Sequence, residues 1–349
     1  MRDFELRITI IGAFAFDTMD TGGQPVKTRE LYYALVEKYG TDRVRYLDTK
    51  GWKKEPIKCF FMAISLILWS NRCVMLPAEN GLKLFSRMLR FFKSRDRKVY
   101  YDVIGGWIAN HLKKDNGTKK SLFHFDGIWV ETKTLERELV DMGFQNVHVV
   151  KNFKKITILK EHDRFDSLSE PFKLCTFSRV IEEKGISDAI SAVSRINLVH
   201  NRKMIILDVY GPIGPSYMSV FTKLVESNCE SVNYRGVADP NNSVEVLKEY
   251  CLLLFPTKYY TEGIPGTIID AYAAGVPVIA SQWESWSDVI SNNETGVVYE
   301  FGNENELFLT LESLVLQPKR IVEMRQNCIS EAQKYTREAA MLTIERLLR

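Results

Sequence analysis

An acidic residue, a turn rich in glycine and proline, and a second acidic residue follow one another near position 265 of this chain. Glu262 precedes the turn Gly263–Gly266, and Asp270 lies on the early turns of a predicted helix. Glycine lets the backbone approach a ligand closely, and the N-terminus of a helix attracts phosphate. Carboxylates accept hydrogen bonds from hydroxyl groups. A site that holds both phosphate and sugar hydroxyls indicates a nucleotide sugar as the ligand.

Two basic residues, Arg179 and Lys184, follow the apolar run Phe172–Phe177. We predict that Arg179 lies just past the end of a strand and that Lys184 lies just before a helix. The planar guanidinium and the ammonium point charge can hold a diphosphate from two sides. A solvated charged loop can show the same spacing, so the position upstream of Glu262 is what favours a binding role.

Short apolar runs and helical stretches alternate along the whole chain, which predicts α/β domains with parallel sheets. The polar stretch Lys154–Pro171 is typical of a domain junction, and the alternation restarts after it. We predict two Rossmann-like, doubly wound domains that face each other across a cleft. Their predicted bounds are 1–165 and 166–330, followed by a C-terminal helix, 331–349, for which the first domain is a candidate partner.

The elements that would position these residues can be placed on the sequence. The predicted strands are 6–11, 44–47, 74–76, 99–103, 128–130 and 147–149 in the first half, and 172–177, 204–210, 232–234, 252–255 and 276–280 in the second. Among the predicted helices are 24–39, 186–196, 217–228, 244–250 and 267–274.

Length and composition narrow the class of protein. A chain of 349 residues favours two domains over one. No segment reaches the ~20 apolar residues of a membrane span, and the longest apolar run, Cys59–Trp69, predicts a buried helix. The start lacks the apolar stretch of a signal peptide. Six scattered cysteines show no metal-ligand spacing. We expect a cytoplasmic protein, peripheral on the inner membrane if it binds lipid.

Charge is distributed unevenly between the two halves. Residues 1–165 carry 30 Lys and Arg against 20 Asp and Glu, a net of +10, whereas the remainder carries −7. Opposite charges fit two domains with different partners. The basic half could face nucleic acid, an anionic membrane or an anionic substrate.

The motifs of the second half, taken together, resemble the retaining glycosyltransferases of family 4, which have the GT-B fold. The similarity runs through the segments Ser178–Gly185, Asp208–Gly211, Tyr234–Val237, Leu254–Thr257, Glu262–Ala280 and Thr295–Val298, in the order of the family. The acid, the glycine turn, the second acid and the Ala-Gly-Val-Pro-Val run form the specific part. The resemblance implies transfer of a sugar from a nucleotide donor, most often a UDP-sugar, with retention of configuration.

The resemblance also implies roles for individual residues. Arg179 and Lys184 would bind the donor pyrophosphate, and Glu262 would lie near the donor sugar; these three are the catalytic candidates. Asp270 would hold the ribose hydroxyls, although the family usually has Glu there. Because Asp is one methylene shorter, we expect a shifted or water-bridged contact, with a helix-dipole partner as the alternative role. The donor-binding candidates are Gly23, Gly211, Gly236, Gly263, Ile264, Pro265, Gly266, Thr267 and Asp270.

The first half offers Gly23 as a candidate near the donor diphosphate and further candidates for the acceptor side. Gly22-Gly23 matches the glycine loop of the family, and Gly105 and Gly106 follow a predicted strand near Trp107, whose ring could stack on a sugar. The alternatives are an ordinary turn and ordinary packing. The family often has an active-site histidine in this domain, and the chain shows no clear equivalent. His111 and His124 are expected at the surface or in packing.

A basic, amphipathic segment lies at residues 82–93, where Arg87, Arg90 and Lys93 alternate with bulky apolar residues. The pattern is typical of a helix at a membrane interface, and equally of a core helix with a solvated basic face. Relatives that act on lipid-linked acceptors dock through such patches, so the resemblance implies peripheral contact with an anionic membrane.

The prediction from sequence is therefore a glycosyltransferase that acts on a glycan or polyprenyl-linked acceptor, in a pathway such as bacterial capsule synthesis. We expect no metal, because no Asp-x-Asp motif of the metal-dependent type is present, and no other cofactor. A GT-B epimerase or phosphorylase and a non-catalytic sugar-nucleotide-binding scaffold remain alternatives. Nucleic acid binding fits the basic half but not the motifs of the second.

Overall fold

A computed structural model describes residues 5–18, 22–160 and 168–349 of the protein. The chain divides into two compact units. The first unit contains the chain up to Lys155 together with Arg337–Arg349, and the second contains Ile156–Thr336. Each unit contains one parallel six-stranded sheet with helices. The predicted α/β, doubly wound organisation is confirmed.

In the first unit, the strand order β2-β1-β3-β4-β5-β6 is that of a doubly wound sheet. The buried residues of β1 are all apolar or small apart from Thr9, as expected of a strand covered on both faces. The strands are β1 (Ile8–Gly12), β2 (Val44–Asp48), β3 (Arg72–Met75), β4 (Lys98–Asp102), β5 (Gly127–Val130) and β6 (Val147–Val149). The helices are α1 (Gly23–Tyr39), α2 (Pro56–Trp69), α3 (Glu79–Phe92), α4 (Ile108–Lys114), α5 (Asn116–Leu122) and α6 (Lys133–Asp141).

The second unit repeats the plan with the order β12-β11-β10-β7-β8-β9. Its strands are β7 (Phe172–Phe177), β8 (Ile205–Tyr210), β9 (Val232–Gly236), β10 (Leu252–Phe255), β11 (Val278–Ser281) and β12 (Gly296–Tyr299). Its helices are α7 (Ile186–Val199), α8 (Met218–Ser227), α9 (Ser243–Leu247), α10 (Gly266–Ala273), α11 (Glu304–Val315) and α12 (Pro318–Ala332). Strand β12, which pairs with β11, was not among the predicted strands.

The second unit begins earlier in the chain than the polar composition of the linker indicates. Ile156 and Ile158 pack on the core of the second unit, and the amide of Leu159 donates to the carbonyl of Ala273 over 2.8 Å. The contact boundary therefore falls at Lys155/Ile156 rather than at 165/166. The last helix, α13 (Arg337–Leu348), belongs to the first unit, because its buried face joins the core around β1 and α1.

Helix α2 is not the buried helix that the apolar run Cys59–Trp69 predicts. Its buried side chains are Cys59, Ala63 and Ile67, which recur every four residues and form one line along the helix. The opposite side exposes large apolar residues, of which Phe61 is 65% exposed. Among the described residues, every helix is too short or too polar to cross a bilayer. Helix α2 thus leaves an apolar surface uncovered within the first unit.

Candidate active site

The carboxyl edge of the second sheet carries the predicted donor-binding segments. Strands β7, β8 and β10 are parallel, so the loops that follow them leave the sheet at the same edge. Arg179 and Lys184 follow β7, Gly211 follows β8, and Glu262 follows β10. Ligands of open α/β sheets bind at this edge. The structure therefore brings the basic and acidic candidates to one side of the sheet.

Lys184 and Glu262 are in direct contact. The ammonium of Lys184 donates to Oε1 of Glu262, and the hydroxyl of Thr257 donates to the same oxygen over 3.1 Å. The two side chains of the pair are only 13% and 16% exposed. The ammonium also lies 5.5 Å from the ring centroid of Phe255 and 5.7 Å from that of Tyr259. The ammonium of Lys184 is therefore mostly enclosed, and it contacts one carboxylate and two aromatic rings.

Gly185 allows this contact to form. It follows Lys184 with φ of +65°, and a Cβ atom there would lie 1.9 Å from the carbonyl oxygen of Pro256. Only glycine fits such an approach without movement of the backbone. The amide of Lys258 donates to the carbonyl of Glu183 over 2.8 Å and fixes the same two loops. The loops after β7 and β10 are thus packed backbone to backbone.

Gly211 brings the loop after β8 against the loop that carries Arg179. Its φ is +131°, and a Cβ atom would lie 1.8 Å from the carbonyl oxygen of Ser178. The amide of Val180 donates to the carbonyl of Pro212 over 2.9 Å. The backbone around Arg179 is therefore fixed on both sides, while the Arg179 side chain itself is exposed.

The turn after Glu262 leads directly into helix α10. Gly263 and Ile264 are buried, Pro265 is the N-terminal capping residue, and Gly266 begins the helix. The hydroxyl of Ser285 donates to the carbonyl of Glu262 over 2.9 Å, which fixes the start of the turn.

Two polar side chains of α10 are withdrawn from solvent. Asp270 is buried, and the hydroxyl oxygen of Thr267 is buried with no hydrogen-bond partner within the described part of the chain. The ribose role of Asp270 and the donor role of Thr267 stay predictions.

The carboxylate of Asp208 connects three other side chains of the second unit. No role was assigned to Asp208 from the sequence. This buried residue of β8 accepts from Nε of Arg235 over 2.9 Å, from the hydroxyl of Tyr250 over 2.8 Å and from the amide of Asn233 over 2.8 Å. The hydrogen bond and the charge of Asp208 raise the pKa of Arg235 above its usual value. Gly236 ends β9 beside this network with φ of +77°. The sequence did indicate that Asp208 has polar partners, because a carboxylate in a buried strand must be paired or hydrogen-bonded.

The glycine loops of the first unit lie at the carboxyl edge of the first sheet. Gly23 begins α1, with Gly22 as its N-terminal capping residue, and Gly105 follows β4 with φ of +76°. Gly106 precedes Trp107, which is half-buried and donates its indole N–H to the carbonyl of Ile104 over 2.9 Å. The Trp107 ring also packs against His111 at 5.4 Å. Stacking of Trp107 on a sugar therefore stays a prediction.

A buried ionic cluster at the same edge was not expected from sequence. Nζ of Lys27 lies 2.8 Å from Oδ1 of Asp102 and 2.9 Å from Oε1 of Glu131, and these residues are 2%, 1% and 3% exposed. Burial lowers the pKa of Lys27, but the two carboxylates outweigh burial and the net pKa is raised. Burial raises the pKa of Asp102 to about 6. A lone lysine in a helix is usually at the surface, so the sequence held no clear signal.

The predicted membrane-facing residues of α3 divide into two groups. Arg87 and Arg90 are exposed, whereas Lys93 donates to the carbonyl of His124 and lies 3.2 Å from Asp126. Most apolar residues of α3 face the core, as the core-helix interpretation predicts. The exceptions are Leu84, which is 37% exposed, and Phe91, which is 83% exposed beside Arg90.

Solved structures share the fold of the whole chain. HepE from Anabaena, crystallised with UDP, superposes with a TM-score of 0.76 and 12% identity over 98% of this chain and 99% of HepE. Sucrose-phosphate synthase from Thermosynechococcus elongatus gives 0.78 and 16%, over 98% of both chains. TarM of S. aureus, crystallised with UDP and α-GlcNAc-glycerol, gives 0.62 and 18% over 79% of this chain and 55% of TarM. These likenesses confirm the GT-B fold.

A curated relative matches over a shorter stretch. It is a Klebsiella pneumoniae protein described as "Uncharacterized 41.2 kDa protein in cps region", 32% identical over 101 residues. The matched stretch is 29% of this chain and 27% of the relative. The chain thus spans about a quarter of the length of that relative.

The family model described as glycosyl transferases group 1 matches residues 158–335, about half of the chain. The match contains the pair Lys184–Glu262, both close-packed glycine loops and helix α10. The chain therefore belongs to the glycosyl transferases group 1.

Proposed function

We propose that the protein transfers a sugar from a UDP-sugar to a glycan or lipid-linked acceptor in the synthesis of a surface polysaccharide, with retention of configuration. The contact between Lys184 and Glu262 is the observation that carries the proposal. It joins a cation suited to a diphosphate and an acid suited to sugar hydroxyls at one sheet edge. HepE and TarM were crystallised with UDP, and the K. pneumoniae relative is described as a protein of the cps region.

The proposed chemistry relies on charge stabilisation of the leaving group. Arg179 and Lys184 neutralise the negative charge that develops on the departing diphosphate, which lowers the barrier to cleavage of its bond to the sugar. Glu262 orients the donor sugar, and its contact with Lys184 keeps the ammonium at the site before the donor binds. Asp270 binds the ribose hydroxyls, directly or through water. The backbone of Gly263–Gly266 approaches the phosphate and the sugar.

The proposal includes no metal, because the two cations supply the charge that a divalent ion supplies in other enzymes. We expect full turnover in EDTA. Loss of turnover in EDTA that magnesium restores would remove this part of the proposal. The acceptor side is assigned to Gly105, Gly106 and Trp107 of the first unit, and Gly23 is assigned to the donor diphosphate.

Peripheral binding to the cytoplasmic face of an anionic membrane completes the proposal. Helix α2 exposes Ile57, Phe61 and Leu68 on one side, and the exposed Lys53 and Lys54 precede it. The connection from β2 to α2 leaves the first sheet at its carboxyl edge, which is also the edge of the glycine loops. Apolar side chains enter the lipid interface while basic residues contact anionic head groups. A membrane-bound acceptor would then lie near the loops that bind it.

A screen of UDP-sugars against glycan and lipid-linked acceptors tests the proposal, with products identified by mass spectrometry. Transfer that requires an acceptor supports it. A change of the sugar configuration without acceptor would indicate an epimerase, and phosphate-dependent cleavage of a glycan would indicate a phosphorylase. UDP binding by calorimetry without turnover of any donor would instead indicate a sugar-nucleotide-binding scaffold.

A further inference from the structure

Three side chains of the first turns of α1 contact the backbone that follows three different strands. Nε2 of Gln24 donates to the carbonyl of Leu76 after β3 over 2.9 Å. Nζ of Lys27 donates to the carbonyl of Val103 after β4 over 2.9 Å. Nη1 of Arg29 donates to the carbonyl of Phe14 after β1 over 2.7 Å. The start of α1 is therefore attached to the carboxyl edge of the first sheet by polar side chains as well as by apolar packing.

Lys27 makes the most extensive of these contacts. An ammonium has three N–H donors. That of Lys27 donates to the carbonyl of Val103 and to Glu131, and it forms an ion pair with Oδ1 of Asp102 at 2.8 Å. Asp102 is the last residue of β4, and Glu131 is the first residue after β5. The Val103 amide also donates to the carbonyl of Trp129 over 2.8 Å. One ammonium thus joins α1 to the ends of two neighbouring strands.

Stability alone does not explain a buried ion cluster. Desolvation of the charges offsets much of their attraction, and apolar residues of the same volume often stabilise a core as well or better. Ion clusters do fix geometry, because each hydrogen bond has a narrow range of distance and angle. The cluster lies at the edge of the sheet where ligands bind in doubly wound folds, which favours a role in the geometry of that edge.

We propose that Lys27 is a positioning residue, which holds the Gly22–Gly23 turn and the Gly105–Gly106 loop in fixed relation to each other. Gly22 precedes Lys27 by little more than one helical turn, and Val103 precedes Gly105 by two residues. A shift of the ammonium therefore moves both glycine segments. The inference rests on the proposed function, which assigns these two segments to substrate binding.

Variants that replace the charged residues of the cluster with neutral ones separate a positioning role of Lys27 from a contribution to stability. Lys27→Met alone leaves two buried carboxylates without their cation, so we expect a large loss of stability. The triple variant Lys27→Met, Asp102→Asn, Glu131→Gln removes all three charges. We expect its Tm to recover most of that loss, because no unpaired charge remains.

Hydrogen exchange of the peptide that covers residues 103–107 is the readout, since it needs no substrate. We expect exchange in the triple variant at least about tenfold faster than in wild type, while amides of the central strands keep their protection. If the cluster only stabilised the fold, exchange would instead become faster throughout the first unit, to an extent that follows the loss in Tm. Equal exchange of residues 103–107 in the triple variant and in wild type would overturn the inference.

A second ionic cluster of α1 provides the matched control. Arg337 is also a mostly buried cation with two carboxylates, Glu30 at 2.9 Å and Glu37 at 2.6 Å, but it joins α1 to α13. The variant Arg337→Met, Glu30→Gln, Glu37→Gln should leave exchange of residues 103–107 unchanged. Faster exchange there in both triple variants would also overturn the inference, because the effect would not be specific to Lys27.

Two further measurements complete the test. If the Lys27 triple variant does not fold, Lys27→Arg replaces it, since a planar guanidinium cannot reproduce the arrangement of three donors. Unchanged exchange of residues 103–107 in a folded Lys27→Arg variant would contradict positioning. UDP titration of wild type tests the second unit separately, so failure of the proposed function is distinguishable from failure of this inference.

Discussion

Lys184 and Glu262, which are 78 residues apart in the chain, form an ion pair at the carboxyl edge of the second sheet. The pair is possible because Gly185 passes within contact of Pro256, where any side chain would collide. An ion pair that is mostly covered but not sealed can exchange partners, so a donor diphosphate can take the place of the carboxylate beside the ammonium. Under the proposed function, the ion pair holds the cation in place until the donor binds.

The first prediction concerns the acid of this pair. Glu262→Gln keeps the shape of the side chain but removes its charge, so we expect turnover to fall at least about tenfold. The affinity for UDP should be unchanged or higher, because UDP lacks the transferred sugar that Glu262 is proposed to orient, and Lys184 is then free to bind phosphate. Turnover and calorimetry measure the two effects.

Glu245→Gln is the control for that variant, since Glu245 pairs with Lys248 at an exposed position of the same unit. Near-normal turnover of Glu262→Gln together with weaker UDP binding would contradict the role of Glu262.

The second prediction concerns Gly185. Both Gly185→Ala and Gly302→Ala place Ala at a positive φ, which costs ~1–2 kcal/mol. At Gly302 no heavy atom lies within 4 Å of the added Cβ, whereas at Gly185 the carbonyl of Pro256 must move. We expect Gly185→Ala to lower the free energy of unfolding by about 3 kcal/mol or more, measured by urea denaturation. Equal losses in the two variants would mean that the close approach is not required.

The strands of the second unit show how much of its fold can be predicted from the sequence. The runs Phe172–Phe177 and Leu252–Phe255 are mostly apolar, and both are strands with the predicted bounds. Strand β12 was missed because Gly296–Tyr299 has only two interior apolar residues, and its partner β11 supplies the context. Strands made of a run of apolar residues are therefore readable from sequence, and so is the short edge strand β6, whereas β12 depends on its pairing with β11.

The candidate site was predictable to a similar extent. The contact of Lys184 with Glu262 could be expected, because both follow parallel strands of one sheet. The identity of the partners of Asp208 and of Lys27 could not, since Glu131 and Tyr250 lie outside the motif segments and Asn233 only precedes one. Helix α2 was misjudged because an apolar run does not reveal which of its residues find a partner.

The third prediction concerns pH and Asp102. Its pKa is raised from 3.8 to about 6 by burial, and neither of its carboxylate oxygens has a hydrogen-bond partner within the described ranges. Between pH 4 and 6 the folded state therefore binds this proton more tightly than the unfolded state does. The contribution of Asp102 to stability falls as the pH rises through that window.

Asp102→Asn should remove this dependence. We expect the difference in unfolding free energy, wild type minus Asp102→Asn, to fall by about 2–3 kcal/mol from pH 4 to pH 7. Asp96→Asn, at an exposed position between α3 and β4, is the control and should show no such change. A difference that stays flat or rises with pH would show that Asp102 is ionised in the folded protein.

The fourth prediction concerns membrane binding. The double variant Phe61→Ser, Leu68→Ser should bind anionic vesicles more weakly, because each fully inserted apolar side chain contributes ~1.5–3 kcal/mol. Charge reversal at Arg87, Arg90 and Lys93 should weaken binding by ~1 kcal/mol per residue at low salt, and least at Lys93, which contacts Asp126. Sedimentation with phosphatidylserine vesicles measures both effects.

Leu342→Ser is the matched control, because Leu342 is 77% exposed on α13 of the same unit. It should bind vesicles as wild type does. Equal vesicle binding by wild type and by the α2 and α3 variants would reject membrane docking through this surface and leave the transferase proposal untouched.

The most direct test of the central claim is the turnover of Arg179→Ala and Lys184→Ala with the UDP-sugar that the screen identifies. We propose that both cations stabilise the departing diphosphate, so each variant should lose at least about tenfold in turnover, equal to ~1.4 kcal/mol of barrier. Arg202→Ala, which removes an exposed cation paired with Glu170 in the same unit, should be active. Near-normal turnover in both Arg179→Ala and Lys184→Ala would contradict the account.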